Sequence, residues 1–280
     1  MRIIALFLPL LFSTSAFAQP GEPSTQPSGR PDPASADEWS VTLGVAPVVS
    51  PAWEGSDDVI LSVFPDVRIN YGDTIFASIP DGIGWNAVNV GGWKAGPLAK
   101  LRFGRDQDGG GSPFAISGSS DALSGLGDIH VSAEIGGFVE KRFGARRQWA
   151  GRIETVRGFG GHEGVVADVS LSYQLRSGRA IVNVGPRASF ATDDFMQVYF
   201  GIDADQSLAS GLGRYSPDGG LVSYGVGGTL IRPIDRQSAI TVFSSFKMLG
   251  DDAAGSPLVR ERGRREQVSI GIGYGYRFGL

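Results

Sequence analysis

The sequence contains no cysteine among its 280 residues, so disulfide bonds cannot stabilise the fold. Beyond residue 18 it has no apolar run near the ~20 residues that a membrane-spanning helix needs. Its charges almost balance, with 25 lysines and arginines against 29 aspartates and glutamates. Proteins that bind nucleic acids usually carry a strongly basic surface, so no nucleic-acid partner is expected. Strand pairing and packing must therefore hold this chain together.

The N-terminal residues predict export. A positively charged start precedes a short apolar segment, and an A-x-A site ends at Ala18, directly before Gln19. We interpret residues 1–18 as a signal peptide that is cleaved between Ala18 and Gln19. Residues 19–38 are rich in proline, serine and acid and predict a disordered periplasmic tether. An exported chain without cysteine fits a Gram-negative envelope protein.

Glycine is abundant, at 42 of 280 residues, which is about twice the usual ~7%. No collagen-like period explains it, and glycine suits closely packed strands better than helices. The end of the chain alternates strictly between apolar even positions and small or polar odd positions from residue 267 to 280. This period of two predicts a strand. Its last apolar residues, which we expect to form a C-terminal assembly strand, are Tyr274, Tyr276, Phe278 and Leu280.

The same alternation recurs along the chain and predicts an all-β fold. Segments of about 10 residues, with aromatic residues near their ends and an export signal, favour a transmembrane antiparallel up-and-down β-barrel over residues 39–280. We predict twelve strands, with ten or fourteen as alternatives. They span residues 39–49, 59–71, 74–80, 83–93, 97–105, 127–140, 148–158, 165–175, 180–190, 220–232, 237–248 and 267–280.

The strand count assigns each connection to one side of the membrane. Bacterial barrels have an even number of strands, so a strand-like piece at 195–203 is placed in a long outer loop at 191–219. The other outer connections are then 50–58, 106–126, 159–164 and 249–266, with a short link at 81–82. The periplasmic turns are 72–73, 94–96, 141–147, 176–179 and 233–236. The turns are mostly basic and the loops mostly acidic.

Five short motifs resemble the MipA/OmpV family of outer-membrane proteins. They lie at residues 123–138, 158–164, 198–202, 210–220 and 249–259, in that order along the chain. The resemblance implies a barrel in the cell outer membrane, surrounded by lipid and lipopolysaccharide and inserted by the barrel-assembly machinery. It also implies a scaffold between a murein-cleaving lytic transglycosylase and a murein synthase, or a role in osmotic response or adhesion. No cofactor is expected.

The motif residues have no assigned role. They are Gly161, His162, Glu163, Gly164, Ser210, Gly211, Leu212, Tyr215, Pro217, Gly250, Asp251, Ser256 and Pro257. His162 beside Glu163 could act in hydrolysis if Ser210 or Ser256 lay within hydrogen-bond reach. No G-x-S-x-G elbow marks a nucleophile, so the alternative is a hydrogen-bonding role within the loop.

A second group of charged residues falls on the polar faces of the predicted strands. It comprises Lys100, Arg102, Asp128, His130, Glu134, Arg152 and Glu154. We interpret it as a lumen network of ion pairs, with a pore or ligand site as the alternative. Twelve strands enclose more space than the eight of a barrel filled by side chains. Whether residues 191–219 fold inward as a plug decides between these interpretations.

Two further patterns in the sequence allow more than one interpretation. The acidic pairs at 57–58, 193–194 and 251–252 match no calcium loop and are interpreted as solvated loop residues rather than metal ligands. The arginine-rich run at 260–266 either neutralises itself or contacts lipopolysaccharide phosphates. The sequence therefore favours a non-enzymatic scaffold barrel. The alternatives are a small-solute pore or adhesin that uses the outer loops, and a lipid-modifying enzyme centred on His162.

Overall fold

The computed structural model describes residues 38–110 and 112–279. The predicted signal peptide, its cleavage site between Ala18 and Gln19, and Leu280 lie outside these residues, as does the predicted tether apart from Glu38. The strands are β1 Trp39–Pro51, β2 Val59–Tyr71, β3 Ile75–Ser78, β4 Gly82–Trp85, β5 Val88–Val90, β6 Trp93–Arg102, β7 Ala115–Ser117, β8 Ser132–Phe143, β9 Trp149–Gly160, β10 Val165–Ser177, β11 Ala180–Ala191, β12 Gly220–Pro233, β13 Ser238–Leu249 and β14 Glu266–Gly279. The helices are α1 Asp193–Phe200, α2 Ala204–Ser210, α3 Asp251–Gly255 and α4 Pro257–Arg262.

The strands form a closed antiparallel barrel of twelve, which confirms the predicted fold class. β1 closes it, because Val41 pairs with Phe278 of β14 on one side and with Ile69 of β2 on the other. The remaining wall strands follow the chain order, so each pairs with its sequence neighbours. Two short strands lie off this path: β5 pairs with β6, and β7 pairs with the outer part of β2.

The two faces of the wall differ as the alternation predicts. On β14, Val268 and Ile270 are 54% and 51% exposed, whereas the alternate residues Gln267 and Ser269 are 3% and 5% exposed. Large apolar side chains on the outer face with polar or small ones inside are typical of a membrane barrel.

Part of the glycine surplus makes room inside the barrel. A Cβ on Gly271 would lie 2.2 Å from the ring of Phe243, and a Cβ on Gly84 would lie 2.1 Å from the ring of Phe76. At these positions an aromatic ring from the neighbouring strand occupies the space that a side chain would need.

The largest errors in the predicted strand boundaries lie in two regions of the chain. The predicted strand 83–93 ends at Val90, and the turn is Gly91-Gly92, with φ of 61° and 85°, rather than 94–96. Glycine reaches these positive φ values without steric cost, so this pair was the turn signal in the sequence. The predicted strand 127–140 begins only at Ser132, because the β6–β8 pairing is interrupted before it and resumes only as an isolated bridge between Ile129 and Arg105.

The connections divide the barrel into two ends. The turn end carries residues 72–74, 91–92, 144–148, 178–179 and 234–237, and the loop end carries 52–58, 103–131, 161–164, 192–219 and 250–265. Apart from the displaced turn at 91–92, small boundary shifts and the link 79–81, which joins the short strands β3 and β4 partway along the wall, this division is the predicted one. The segment 195–203 lies at the loop end as predicted, but it forms most of α1 rather than a strand-like piece.

Most of the apolar core sits at the loop end of the barrel. Its members include Trp53, Leu123, Phe195, Phe200 and Leu258, all 0–1% exposed and contributed by four different connections. We call this packed assembly of α1, α3, α4 and the surrounding loops the cap. None of the helices in the described part of the chain is long and apolar enough to cross a membrane.

Candidate functional site

Helix α1 forms the floor of the cap, directly over the lumen. Its residues Phe195, Met196, Tyr199 and Phe200 are buried. The helix is fixed at its start by Thr192, whose backbone N–H donates to the Val165 carbonyl at 3.0 Å.

The C-terminal carbonyls of α1 are also satisfied. Arg105 Nη1 donates to the Tyr199 carbonyl at 2.8 Å, and Ser256 Oγ donates to the Phe200 carbonyl at 2.7 Å. Free carbonyls at a buried helix end would be costly, so these contacts anchor the floor of the cap to two other loops. Within the predicted outer loop 191–219, α1 therefore packs inward, whereas α2 has no buried residue.

Below α1, two side chains contact the same carboxylate oxygen of Glu134. Arg102 Nε donates to Glu134 Oε1 at 2.5 Å, and His162 Nε2 lies 3.0 Å from the same oxygen. The side chains of Arg102, Glu134 and His162 are 4%, 1% and 0% exposed. Strand pairing brings Arg102 and Glu134 close together. Arg102 at the end of β6 pairs with Ser132, which lies two residues before Glu134 on β8.

A second set of ion pairs continues down the same side of the wall. Lys100 Nζ lies 2.6 Å from Glu154 Oε1, and Arg152 Nη2 lies 2.9 Å from Glu154 Oε2. Arg152 also approaches Glu140 at 3.6 Å. These residues lie on the adjacent strands β6, β8 and β9, so their lumen-facing side chains stack across the sheet.

We call these residues the lumen charge cluster. It consists of Lys100, Arg102, Glu134, Glu140, Arg152, Glu154 and His162. Its three permanent cations face its three carboxylates, and Arg142 adds a further cation 3.1 Å from Glu140. Buried charges of this kind are tolerated because each is paired.

The structure brings together five of the seven predicted network residues: Lys100, Arg102, Glu134, Arg152 and Glu154. The prediction was wrong for Asp128 and His130, whose side chains are exposed. Asp128 accepts a hydrogen bond from the Gln107 backbone N–H at 2.9 Å, at the rim of the barrel. The alternation was extended backward past the true start of β8, so these two were assigned to a strand that they precede.

His162 joins the cluster to the cap. Its ring packs edge-on against Phe195, with centroids 5.0 Å apart, and its backbone N–H donates to Ser132 Oγ at 2.9 Å. A Cβ on Gly158 would lie 2.1 Å from the His162 ring, so glycine is needed there. Among the described residues, the ring Nδ1 has no hydrogen-bond partner.

The alternative of a catalytic arrangement, with His162 beside Glu163 and Ser210 or Ser256, is not assembled. Ser210 Oγ donates to the Gln206 carbonyl and Ser256 Oγ to the Phe200 carbonyl. Glu163 is exposed, and its carboxylate lies 3.4 Å from the Gly160 N–H rather than near the imidazole. The carboxylate that contacts His162 is Glu134. A serine, a base and an orienting acid do not converge here, which a triad requires.

The remaining motif residues build the cap. Tyr215 donates to the Asp252 carbonyl at 2.8 Å, and Leu212 is 3% exposed. The other members occupy tight turns, helix ends or crowded backbone positions: Gly161, Gly164, Gly211, Pro217, Gly250, Asp251 and Pro257. Gly211, for example, ends α2 with φ of 77°. Most of these motif residues therefore lie in the cap.

Burial changes the pKa of several groups under the cap. It raises the pKa of Tyr199 to about 12 and lowers that of Arg105 to about 10, so at neutral pH the phenol is neutral and the guanidinium is charged. Burial also raises the pKa of Glu54, which Lys247 opposes at a distance of 4.0 Å.

The arginine-rich run at the loop end is largely structural. Arg262 donates to the carbonyls of Ala122, at 2.8 Å, and of Ser210, and Arg265 binds Asp251 at 2.7 Å. Only Arg260 and Arg264 of the arginines in this run have exposed side chains. Most of the run is therefore engaged in loop contacts rather than presented to the surroundings.

The predicted acidic pairs lie apart from one another. Two of them occupy the first turns of α1 and α3, where the helix dipole favours negative charge, and the third lies in the connection between β1 and β2. Within the described residues, no group of three or more histidine and acidic side chains could hold a metal ion.

The closing strand has the arrangement predicted for it. Tyr274 and Phe278 are 45% and 43% exposed on the outer face. The Tyr276 ring packs against Phe278 at 4.7 Å, and its hydroxyl donates to Gln237 Oε1 at 2.8 Å. Together these rings form an aromatic surface at the turn end, where a membrane interface would lie.

Residues 43–278 match the model of the family described as MltA-interacting protein MipA. The chain belongs to this family. The match covers almost the whole barrel, including the cap and the lumen charge cluster.

Solved structures share only the fold with this MipA-family chain. An outer membrane channel from Pseudomonas putida F1, of the COG4313 group, is 13% identical with a TM-score of 0.47, over 89% of this chain and 98% of its own. The NanC porin is 11% identical with a TM-score of 0.35, over 85% and 98%. OmpT of Vibrio cholerae is 7% identical with a TM-score of 0.35, over 86% and 96%. The comparison with curated proteins gave no match.

Proposed function

We propose that this MipA-family chain is a non-enzymatic scaffold of the Gram-negative outer membrane, with its loop end closed and its turn end available to periplasmic partners. The observation that carries the proposal is the cap: α1 and its neighbours cover the lumen charge cluster, whose lysine, arginines and glutamates form ion pairs with one another. A barrel with this interior offers neither an assembled catalytic site nor an open path through the loop end. We infer that the chain is exported, that its closing strand directs its insertion, and that outer-membrane lipid and lipopolysaccharide surround the barrel.

The turn end supplies a surface for partners. Its exposed basic residues are Arg146, Arg147, Arg176, Arg179, Arg232 and Arg236. Asp73 and Asp235 are the exposed acids in the described connections there. The family description names an MltA-interacting protein, and we infer that the basic turn 144–148 and the tether 19–38 together bind a murein lytic transglycosylase and a murein synthase.

Capture of a lytic transglycosylase by the purified barrel tests this proposal. Neutralising Arg142, Arg146 and Arg147 to glutamine, together with deletion of residues 19–38, is expected to abolish capture. The matched control neutralises Arg260 and Arg264 at the loop end, where both side chains are exposed, and should leave capture unchanged. Capture that survives both changes at the turn end would refute this partner surface.

A further inference from the structure

The barrel wall is incomplete on one side. β2 runs from Val59 to Tyr71, but β3 pairs only with its last four residues, beginning at Arg68. β4 in turn pairs with β6 only at Leu98 and Ala99. Above this short hairpin, toward the loop end, no strand in the described part of the chain pairs with both β2 and β6.

The short strand β7 covers one edge of this gap but not the other. It pairs with Leu61 and Ser62, and the Phe114 carbonyl accepts from the Val63 N–H at 2.8 Å. Among the residues that the structure describes, no backbone hydrogen bond joins β7 to β6.

The gap is bordered by side chains suited to lipid. Leu101 on β6 is 59% exposed and Ile116 on β7 is 65% exposed. A strand edge that faces hydrocarbon without a partner is costly, and membrane barrels avoid it by closing the wall. The break therefore needs another closure, and side chains provide it.

Three aromatic rings cluster between β2 and the end of β6, at the gap. Phe114 packs against Phe64 of β2 with centroids 5.1 Å apart and against Phe103, just after β6, at 6.4 Å and 89°. We call these three residues the aromatic seal. A closure made of ring contacts is held by weak individual interactions, whereas a strand pair is held by a ladder of backbone hydrogen bonds.

Charges of both signs lie on the lumen side near the hairpin below the seal. Arg68 Nε lies 2.7 Å from Asp66 Oδ1, with the two side chains 33% and 18% exposed. On the neighbouring strand, Ser78 Oγ donates to Asp81 Oδ2 at 2.5 Å. A ligand that reached this position from the membrane would meet apolar rings first and paired charges second.

We propose that the gap between β7 and β6 is a lateral portal through which a zwitterionic single-chain amphiphile, a lysophospholipid, enters the lumen from the surrounding leaflet. Its acyl chain lies between the rings of the aromatic seal. Its phosphate faces Arg68, and its ammonium group faces Asp66. The loop end is capped, so the bilayer is the source of the ligand. This activity goes beyond the scaffold role and does not depend on it.

Photolabelling of the full barrel in phospholipid vesicles tests the portal. The probe is a lysophosphatidylethanolamine with a diazirine in its acyl chain, and labelled residues are located by mass spectrometry. Because the chain has no cysteine, Phe103→Cys with Phe114→Cys can be bridged by a short bis-maleimide without side reactions at other thiols. The same protein before bridging is its own folding control.

Before bridging, we expect labels on lumen-facing Ser62 and Asp66 as well as on lipid-facing Leu101. Bridging should remove the lumen labels and keep the label on Leu101. A matched bridge between Val169→Cys and Ala188→Cys, directly paired on β10 and β11, should change neither.

Three results would overturn the proposal. Lumen-facing residues could remain unlabelled in the wild type and in the unbridged variant. The lumen labels could persist after the Phe103–Phe114 positions are bridged. Labels could appear only with a diazirine fatty acid used in place of the lysophospholipid, which would refute the zwitterionic ligand.

Discussion

At the scale of single residues, Glu134 concentrates the polar contacts under the cap. One of its oxygens is shared by Arg102 and His162, so this carboxylate neutralises a buried guanidinium and positions the imidazole that contacts α1. A buried ion pair adds little net stability when both partners are present, but loss of one partner leaves the other charge uncompensated. The loss of stability on removing the Glu134 charge can be measured directly.

Replacing Glu134 with glutamine should lower the free energy of unfolding by about 3 kcal/mol, because Arg102 is left as a buried cation without a counter-charge. Denaturant unfolding in detergent, followed by tryptophan fluorescence, measures the change. Glu163→Gln, beside His162 but exposed, is the control and should stay within about 0.5 kcal/mol of wild type. Equal losses from the two variants would contradict the role given to Glu134.

Gly158 is a second residue whose identity the site requires. The Gly158→Ala substitution places a methyl group 2.1 Å from the His162 ring, so the ring must move. We expect a loss of about 1–3 kcal/mol, as for other overpacked positions. In a double-mutant cycle with His162→Ala, the two losses should not add, since removal of the ring removes the clash. Additive losses would show that the strain lies elsewhere.

At the scale of elements, the turn between β12 and β13 is ordered by one carboxylate. Asp235 accepts hydrogen bonds from the backbone N–H of Gln237 and of Ser238, at 2.8 and 2.7 Å, and from the Ser238 hydroxyl at 2.8 Å. These bonds favour the charged form and lower the pKa of Asp235.

Because the folded-state pKa is lowered, the stabilisation by Asp235 is present above its unfolded pKa of about 3.9 and is lost as the pH falls through the lower folded value. Wild type should therefore be more stable than Asp235→Asn at neutral pH, and the difference should shrink toward zero in strong acid. Denaturant unfolding of both proteins across this range measures it. A difference that does not depend on pH would refute the assignment.

Regular elements could be predicted from sequence, whereas their interruptions could not. The alternation placed β10 and β11 within two residues of their observed ends, because a wall strand has two uniform environments. It failed before Ser132, where strand pairing is interrupted although the alternation of residue types continues. The glycine pair Gly91-Gly92 is a turn signal within an otherwise strand-like segment, because both residues adopt positive φ.

The same distinction explains what could be predicted of the site. Lys100, Arg102 and Glu134 lie on strands, and their side of the wall follows from position alone. His162 lies in a loop, where no periodicity indicates direction, so its contact with Glu134 became visible only in three dimensions. The burial of α1 was likewise hidden, because the decisive contacts come from Arg105 and Ser256, far away in the chain.

At the scale of the whole molecule, the cap covers the loop end and the wall carries the charged residues of the lumen. The lumen charge cluster lies on β6, β8 and β9, whereas the strands β13 and β14 carry Ser245, Gly271 and Gly273, with the Phe243 ring packed over Gly271. Beneath the cap, the cluster therefore fills one side of a twelve-stranded lumen. Closure at the loop end depends on α1 and the segments packed on it.

This arrangement predicts electrical behaviour in a planar lipid bilayer. The wild-type protein should give no large steady conductance steps, because the cap covers the loop end. Ala191 pairs directly with Gly220, so residues 193–218 can be replaced by a short glycine linker without breaking a strand pair. We expect that variant to conduct steadily. Asp193→Asn with Asp194→Asn keeps α1 and should remain closed like the wild type. Large steady steps from the wild type would show that the cap is not a barrier, and a closed linker variant would assign the barrier to the lumen charge cluster instead.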